Sequence, residues 1–150
     1  MRILTLCLGN ICRSPAAEAV IRAKAAAAGL AVEVDSAGTS NYHIGEAPHP
    51  ESVAAGRRLG YDVDGRGRRI TPDDFRTFDL ILTMDDDNLR TALRIAPGDA
   101  TARVVPLRSF DPDGGGMDVD DPWGRPASAY DDMYRVIERS VDGLVESLRP

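Results

Sequence analysis

The sequence has few cysteines, no long hydrophobic run and no excess of positive charge. Its 150 residues include two cysteines, too few for the disulfide framework of a small secreted protein. No apolar segment approaches the length of about 18 residues that a membrane-spanning helix needs. Lysine and arginine number 18 against 24 for aspartate and glutamate, so the formal net charge is −6. We therefore expect no binding to nucleic acid or to a membrane, and an anionic ligand must be attracted locally.

The length and the first residues indicate the kind of protein to expect. A chain of 150 residues is long enough for one compact core, which predicts a single domain over residues 1–150. The segment from Met1 to Leu6 lacks the long apolar stretch and the small-residue cleavage site of a signal peptide. Together with the scarcity of cysteine, this predicts a cytoplasmic protein.

Strand-like and helix-like segments alternate along the chain. Apolar runs predict four strands, at residues 3–6, 31–35, 78–83 and 103–107. Periodicity and capping residues predict helices at 14–28, 51–59, 85–95 and 130–148, with loops at 36–50 and 109–127. This alternation predicts an α/β fold, with a four-stranded, mostly parallel, twisted sheet covered by helices on both faces, as in Rossmann-like proteins. Ligands of such sheets bind beyond the carboxyl ends of the strands, which points to the loop after the first strand.

Both cysteines lie in that loop, which reads Cys7-Leu8-Gly9-Asn10-Ile11-Cys12-Arg13-Ser14. Because the loop joins a strand to a helix, its main-chain N–H groups can converge on an anion. A thiol opens the loop, and the guanidinium of Arg13 can hold two oxygens of a tetrahedral oxyanion. Gly9 allows the loop to curl, Asn10 tolerates a left-handed backbone, and Ser14 can donate a hydrogen bond to sulfur.

Cys7 needs several neighbours to become reactive. An ordinary cysteine is only a few per cent thiolate at pH 7, and a helix end contributes only about 0.3–1 kcal/mol. The N–H groups, Arg13 and the Ser14 hydroxyl can supply the rest together, so we interpret Cys7 as an ionised nucleophile. The alternative is that Cys7 and Cys12 are two small buried hydrophobic residues. A zinc site is disfavoured, since the two distant histidines provide no second ligand pair of the usual spacing.

The loop as a whole resembles the phosphate-binding loop of the low-molecular-weight protein tyrosine phosphatases. The resemblance covers nearly the whole chain, including Asp35 to Ser40, Phe78 to Leu89, and Asp120-Asp121-Pro122-Trp123, which is similar to the family's Asp-Pro-aromatic element. It implies a single domain of the phosphotyrosine protein phosphatase I-like fold over residues 1–150. It also implies hydrolysis of phosphotyrosine and small aryl phosphates through a cysteinyl-phosphate, with no metal and no other cofactor.

The resemblance implies a role for each catalytic residue. Cys7 would be the nucleophile, Arg13 would bind the phosphate, and Asp121 would act as general acid and then as general base. Residue chemistry alone leaves Asp118 and Asp120 as rivals, because any of the three loop carboxyls could protonate a departing phenolate.

The phosphate-binding residues implied by the resemblance are Leu8, Gly9, Asn10, Ile11, Cys12, Arg13 and Ser14. The slot for a flat ring would be walled by Ile11, Tyr42 and Trp123, although both aromatic residues could instead be partly buried structural residues. Ile11 bears on specificity, because related bacterial phosphatases that act on phosphoarginine look to have threonine at this position. A branched apolar side chain there suits an aryl phosphate better. His43 and His49 are interpreted as surface residues.

Two further roles are implied for residues of the loop. Asn10 would be supported by Ser14 and Ser36, because Gly65 stands where many family members carry a histidine that braces this asparagine. Cys12 would form a disulfide with Cys7 and so protect the nucleophile from irreversible oxidation. The alternative for Cys12 is a packing residue.

The expected partners are phosphotyrosine-containing proteins, with inorganic phosphate and other oxyanions as ligands or inhibitors. We expect a monomer or a weak homodimer. Arsenate reduction is disfavoured, since no cysteine follows Cys12 to pass electrons. A catalytically silent phosphoprotein-binding module is the second hypothesis, and the joint presence of Cys7, Arg13 and Asp121 argues against it.

Overall fold

The computed structural model describes all residues from 1 to 150. Its four strands are β1 (Arg2–Cys7), β2 (Glu33–Gly38), β3 (Leu80–Thr83) and β4 (Arg103–Pro106). Its five α-helices are α1 (Arg13–Ala27), α2 (Pro50–Arg58), α3 (Asp74–Thr77), α4 (Asp86–Ile95) and α5 (Ala127–Leu148). A short 3₁₀ helix follows β4 at Leu107–Phe110.

The strands form one sheet in the order β2-β1-β3-β4, and every neighbouring pair is parallel. Side chains of β1 alternate between the two faces, so that Ile3 and Cys7 enter one hydrophobic cluster while Leu4 and Leu6 enter another. Helices α1 and α5 contribute to the first cluster, and α3 and α4 to the second. The predicted α/β sheet with helices on both faces is therefore confirmed, and it is entirely rather than mostly parallel.

The long C-terminal helix forms as its periodicity predicts. Its large buried apolar residues recur at steps of three and four along one stripe: Tyr130, Met133, Tyr134, Ile137, Val141, Leu144 and Val145. This stripe packs against α1 and closes the larger core. None of the helices combines the length and the apolar character that crossing a bilayer requires.

The predicted bounds of the second strand are wrong. The sequence predicts a strand over residues 31–35, whereas β2 runs from Glu33 to Gly38 and pairs with β1 up to Cys7 opposite Gly38. Ser36 and Ala37 are buried in this part of the strand. The sequence does not indicate a strand here, because Ser36 and Gly38 are not typical strand residues. The longer strand brings Ser36 and Gly38 beside the loop that follows β1.

Gly143, in the middle of α5, provides a test of the core packing. Alanine normally stabilises a helix interior relative to glycine by about 1 kcal/mol, but a Cβ at Gly143 would overlap the carbonyl group of Phe110. We expect Gly143→Ala to lower the free energy of unfolding by about 1–3 kcal/mol, measured by urea denaturation. Gly98→Ala is the control, since its Cβ would meet nothing within 4 Å. A more stable Gly143→Ala protein would contradict this packing.

Candidate active site

The loop between β1 and α1 wraps around the sulfur of Cys7. This residue ends β1 and is 2% exposed. Its Sγ lies 3.1 Å from the Ser14 hydroxyl oxygen and accepts a hydrogen bond from the main-chain N–H of Asn10 at 3.3 Å. Asn10 has φ of 58°, the only positive φ outside glycine, and this left-handed turn directs its N–H towards the sulfur. The predicted use of an asparagine here agrees with the geometry.

Main-chain donors of the loop are free to bind a ligand. The N–H groups of Gly9, Ile11 and Cys12 donate to no other group of the chain, and α1 begins at Arg13, where the first N–H groups of a helix lack partners. The loop lies at the carboxyl edge of the parallel sheet, where α/β proteins bind their ligands. These N–H groups can therefore hold an oxyanion directly above Cys7.

Arg13 is fixed by contacts from two other segments. Its guanidinium donates to a carboxylate oxygen of Asp85 at 2.7 Å and to the carbonyl oxygen of Val119 at 3.0 Å, and lies 3.7 Å from a carboxylate oxygen of Asp121. Burial by itself would lower the pKa of this guanidinium, but the negative charges of Cys7, Asp85 and Asp121 outweigh burial and raise the pKa. Arg13 is 4% exposed and remains a fixed positive charge beside the sulfur.

Asp85 also belongs to this site, although its sequence context did not indicate it. Asp85 follows β3 and caps α4, where its side chain accepts a hydrogen bond from the N–H of Asn88, and the sequence indicates only an acidic helix start. The signal that could have found it is topological. The carboxyl ends of neighbouring parallel strands meet at one edge, so an acid directly after β3 lies beside the loop after β1.

The predicted catalytic and slot residues surround one cavity of about 220 Å³. At its mouth, Tyr42 is 70% exposed and Trp123 is 60% exposed, whereas Ile11 is buried. The complete lining is Cys7, Leu8, Gly9, Ile11, Cys12, Arg13, Tyr42, His43, Asp121 and Trp123. A cavity with thiol, guanidinium and N–H groups and with aromatic walls at its mouth can accept a phosphate attached to a flat ring.

The three candidate acids lie in different places. Asp121 lines the cavity, and its carboxylate accepts a hydrogen bond from the N–H of Trp123 at 3.1 Å. Asp118 accepts from the N–H of Asp86 at 3.1 Å. Asp118 and Asp120 both line a separate cavity beside Arg108. Of the three, only Asp121 lines the cavity that Cys7 also lines.

Asn10 is held by three neighbours. Its amide nitrogen donates to the hydroxyls of Ser14 at 2.8 Å and Ser36 at 3.0 Å, as predicted, and its amide oxygen accepts from the main-chain N–H of Arg68 at 3.0 Å. Gly65 makes no hydrogen bond to Asn10. The contact from this part of the chain comes instead from the main-chain N–H of Arg68, three residues later. A main-chain donor therefore braces Asn10 together with the two serine hydroxyls expected from the sequence.

Cys12 and the two histidines have environments that the sequence did not indicate. Cys12 is buried with its Sγ 3.8 Å from the Tyr130 hydroxyl, and burial raises the pKa of its thiol to about 12. Both histidines are partly exposed, as expected of surface residues, but each also has defined contacts within the chain. His43 lines the catalytic cavity and bonds Glu46 at 2.8 Å, and His49 caps α2 and stacks on Tyr130 with ring centres 5.6 Å apart.

Comparisons with known proteins agree with this geometry. The sequence model described as low molecular weight phosphotyrosine protein phosphatase matches residues 2–150. A low molecular weight protein-tyrosine-phosphatase of Streptomyces coelicolor is 39% identical over 153 residues, which cover 99% of this chain and 93% of that protein. The crystal structure of a protein tyrosine phosphatase from Entamoeba histolytica, with Hepes in its active site, has a TM-score of 0.95 at 33% identity and covers 99% of this chain and 96% of its own.

A relative with another named substrate class has the same fold. The crystal structure of a Drosophila arginine phosphatase has a TM-score of 0.95 at 26% identity, covering 100% of this chain and 99% of its own. The match over residues 2–150 and the identity to the Streptomyces protein nevertheless agree with the resemblance found in the sequence. The chain therefore belongs to the low molecular weight phosphotyrosine protein phosphatase family, and the predicted enzyme class, a protein tyrosine phosphatase, is confirmed.

Proposed function

We propose that Cys7, Arg13 and Asp121 together hydrolyse phosphotyrosine in protein substrates, and small aryl phosphates, through a cysteinyl-phosphate intermediate. One observation carries the assignment: the thiol, the guanidinium and the carboxyl line the same cavity. Each of these groups supplies one requirement of the reaction, namely a nucleophile, a charge for the phosphate oxygens and a proton for the leaving group.

In the first step the Cys7 thiolate attacks phosphorus and the bond from phosphorus to the phenolic oxygen breaks. Asp121, in its protonated form, transfers its proton to the departing oxygen and becomes a carboxylate. The N–H of Asn10 and the hydroxyl of Ser14 lie 3.3 Å and 3.1 Å from the sulfur, where they favour the thiolate before attack.

In the second step water attacks the phosphorus of the cysteinyl-phosphate. The Asp121 carboxylate accepts a proton from this water, the bond from phosphorus to sulfur breaks, and inorganic phosphate leaves. The same Ser14 hydroxyl can donate to the sulfur as its negative charge returns. Asp121 is then protonated and Cys7 is a thiolate, so the starting state is restored.

Arg13 and the loop N–H groups stabilise the charge on the equatorial phosphate oxygens, which is the main requirement of phosphoryl transfer. Asp85 is a positioning residue, because its 2.7 Å hydrogen bond fixes one nitrogen of the guanidinium. The bond from Arg13 to the Val119 carbonyl, two residues before Asp121, supports a second task for the arginine: to hold the acid-bearing loop over the cavity.

An aryl phosphate suits the walls of the cavity. Ile11 presents an apolar surface, and the exposed aromatic side chains of Tyr42 and Trp123 line the same cavity, where they can contact a flat ring. Phosphoarginine is the second candidate substrate, favoured by the similarity to the Drosophila arginine phosphatase. The guanidinium of phosphoarginine would lose hydrogen bonds to water beside the apolar Ile11 side chain, whereas a phenyl ring has none to lose. This difference in desolvation cost favours phosphotyrosine as the substrate.

Cys12 is proposed to guard the nucleophile against oxidation. If a peroxide converts Cys7 to a sulfenic acid, condensation with the Cys12 thiol releases water and forms a disulfide that an external thiol can reduce. Both cysteines are free thiols that line the same cavity. The raised pKa of Cys12 keeps it a thiol at neutral pH, so it does not compete with Cys7 for phosphorus.

The proposed setting follows from the same residues. We propose one domain over residues 1–150, acting in the cytoplasm as a monomer or weak homodimer on phosphotyrosine-containing proteins. A nucleophilic thiol remains active only where it stays reduced, which supports a reducing compartment. Inorganic phosphate and other oxyanions are the proposed ligands and inhibitors of the Cys7–Ser14 loop.

Replacement of the nucleophile tests the reaction class. We expect Cys7→Ser to lower the rate of para-nitrophenyl phosphate hydrolysis by on the order of 10³-fold or more, because a neutral hydroxyl replaces the thiolate. Phosphate should still bind this variant, as measured by isothermal titration calorimetry, because Arg13 and the N–H groups are retained. Turnover comparable to that of the unmodified protein would contradict the mechanism.

Replacement of the three loop aspartates tests the general acid. We expect Asp121→Asn to lower kcat on phenyl phosphate by about 10²-fold or more. The loss on para-nitrophenyl phosphate should be smaller, since nitrophenolate leaves without protonation. Asp118→Asn and Asp120→Asn are the controls, because both residues line the other cavity. A larger loss in either control would move the acid to that position.

A substrate comparison tests specificity. On one peptide carrying phosphotyrosine, phosphoarginine or phosphoserine, we expect kcat/KM to be highest for phosphotyrosine. Ile11→Thr should raise the ratio of phosphoarginine to phosphotyrosine hydrolysis, because a hydroxyl in the slot can bond the guanidinium. Ile44→Thr is the matched control, since Ile44 is 59% exposed and lies outside the cavity. Faster hydrolysis of phosphoarginine would overturn the proposed substrate and leave the reaction class intact.

A further inference from the structure

A second cavity adjoins the catalytic one. It has a volume of about 320 Å³ and shares Leu8 and Tyr42 with the catalytic cavity, so these two side chains form the wall between them. Its lining also includes Arg69, next in the chain to the Arg68 that braces Asn10, and Arg94 in the last turn of α4. We refer to it as the Arg69–Arg94 pocket.

The two arginines of this pocket have no carboxylate partner. The side chain of Arg94 makes neither an ion pair nor a hydrogen bond, and the only side-chain hydrogen bond of Arg69 runs from its Nε to the carbonyl oxygen of Thr39 at 3.2 Å. Most arginines of the chain do pair with an acid, as Arg13 and Arg68 do with Asp85 and Asp74. In a chain of net charge −6, two unpaired guanidinium groups in one pocket create a local positive potential.

The remaining lining of the pocket also suits an anion. No aspartate or glutamate lines it, and Thr39, Asn41 and Thr91 contribute polar side chains that make no hydrogen bond within the chain. The Ser40 hydroxyl is not available to a ligand in the same way, because it donates to the carbonyl oxygen of Leu8 at 2.9 Å. This bond helps to hold Leu8 in place between the two cavities. The pocket therefore offers several uncommitted donors to carboxylate oxygens and no negative charge to repel them.

We propose that the Arg69–Arg94 pocket binds an acidic side chain of the substrate, an aspartate or glutamate that neighbours the phosphotyrosine. This inference rests on the proposed function and adds a preference among phosphotyrosine peptides. With the phosphotyrosine ring against Tyr42, the pocket lies just across that side chain. An extended peptide advances about 3.3–3.6 Å per residue, so a residue one or two positions away reaches it.

The pocket also explains how an acidic enzyme can select an acidic peptide. The overall negative charge of the protein repels such a peptide. Arg69 and Arg94 lie on the Tyr42 side of the mouth, whereas Asp121 and Trp123 line only the catalytic cavity. A bound peptide whose acidic side chain lies on the Tyr42 side is attracted by the two arginines, and a peptide bound in the opposite direction is not. The pocket therefore influences the direction in which the peptide binds as well as its affinity.

The experiment compares phosphotyrosine peptides that differ only in glutamate against glutamine at the two positions before, or the two positions after, the phosphotyrosine. The kcat/KM of each peptide is divided by that of para-nitrophenyl phosphate for the same variant, so that an effect on the catalytic loop cancels. The variants are Arg69→Gln, Arg94→Gln and Arg94→Glu. Arg57→Gln is the matched control, because it removes one exposed, unpaired arginine from α2, outside both cavities.

The unmodified protein should prefer a glutamate peptide, and each glutamine variant should lower that preference by about two- to fivefold. Arg94→Glu should abolish or reverse it, Arg57→Gln should retain it, and added salt should weaken it. Equal rates of the unmodified protein on glutamate and glutamine peptides, or a glutamate preference that survives in both Arg69→Gln and Arg94→Gln, would overturn the inference. Absence of turnover on every phosphotyrosine peptide, glutamine peptides included, would instead overturn the proposed function and this inference with it.

Discussion

The site depends on the conformation of one residue, Asn10. Its left-handed backbone turns the loop so that its own N–H meets the sulfur of Cys7, and its side chain joins Ser14, Ser36 and the main chain of Arg68. A non-glycine residue holds a positive φ only where surrounding bonds compensate the steric cost. The amide uses three of its hydrogen-bonding positions for this purpose, which fixes the curl that leaves the other loop N–H groups free to bind phosphate.

The sheet supplies what the loop cannot provide by itself. Because β1 pairs with β2 as far as Gly38, the exit of β2 lies against the loop, and a Cβ at Gly38 would come within 2.8 Å of the Leu8 carbonyl oxygen. On the other side β3 brings Asp85 to Arg13. Through the Val119 carbonyl, Arg13 then contacts the segment that carries Asp121. One buried guanidinium thus connects the loop after β1, the start of α4 and the loop that carries Asp121.

Much of the fold could be predicted because its signals are local. Helix α1 follows from Pro15 in its first turn and Gly29 just after its end, and the stripe of α5 follows from apolar spacing within a few turns. The second half of β2 could not be predicted from the sequence, since Ser36 and Gly38 become strand residues only through pairing with β1. The roles of Asp85, of His43 in the cavity wall and of the Arg68 N–H likewise arise from contacts between segments far apart in the chain.

The sequence by itself determined the chemistry of this protein. A thiol and an arginine six residues apart, set between a strand and a helix, specify an oxyanion loop whatever the rest of the chain does, because the reacting groups lie within one short segment. The tertiary structure decided which acid faces that loop and which arginines remain unpaired beside it. Asp118, Asp120 and Asp121 are equivalent by residue type, and only the path of their loop brings Asp121 to the catalytic cavity and directs the other two elsewhere. Likewise, Arg69 and Arg94 are ordinary arginines in the sequence, and they form a pocket only because β1, α4 and the segment after β2 meet at one edge of a parallel sheet.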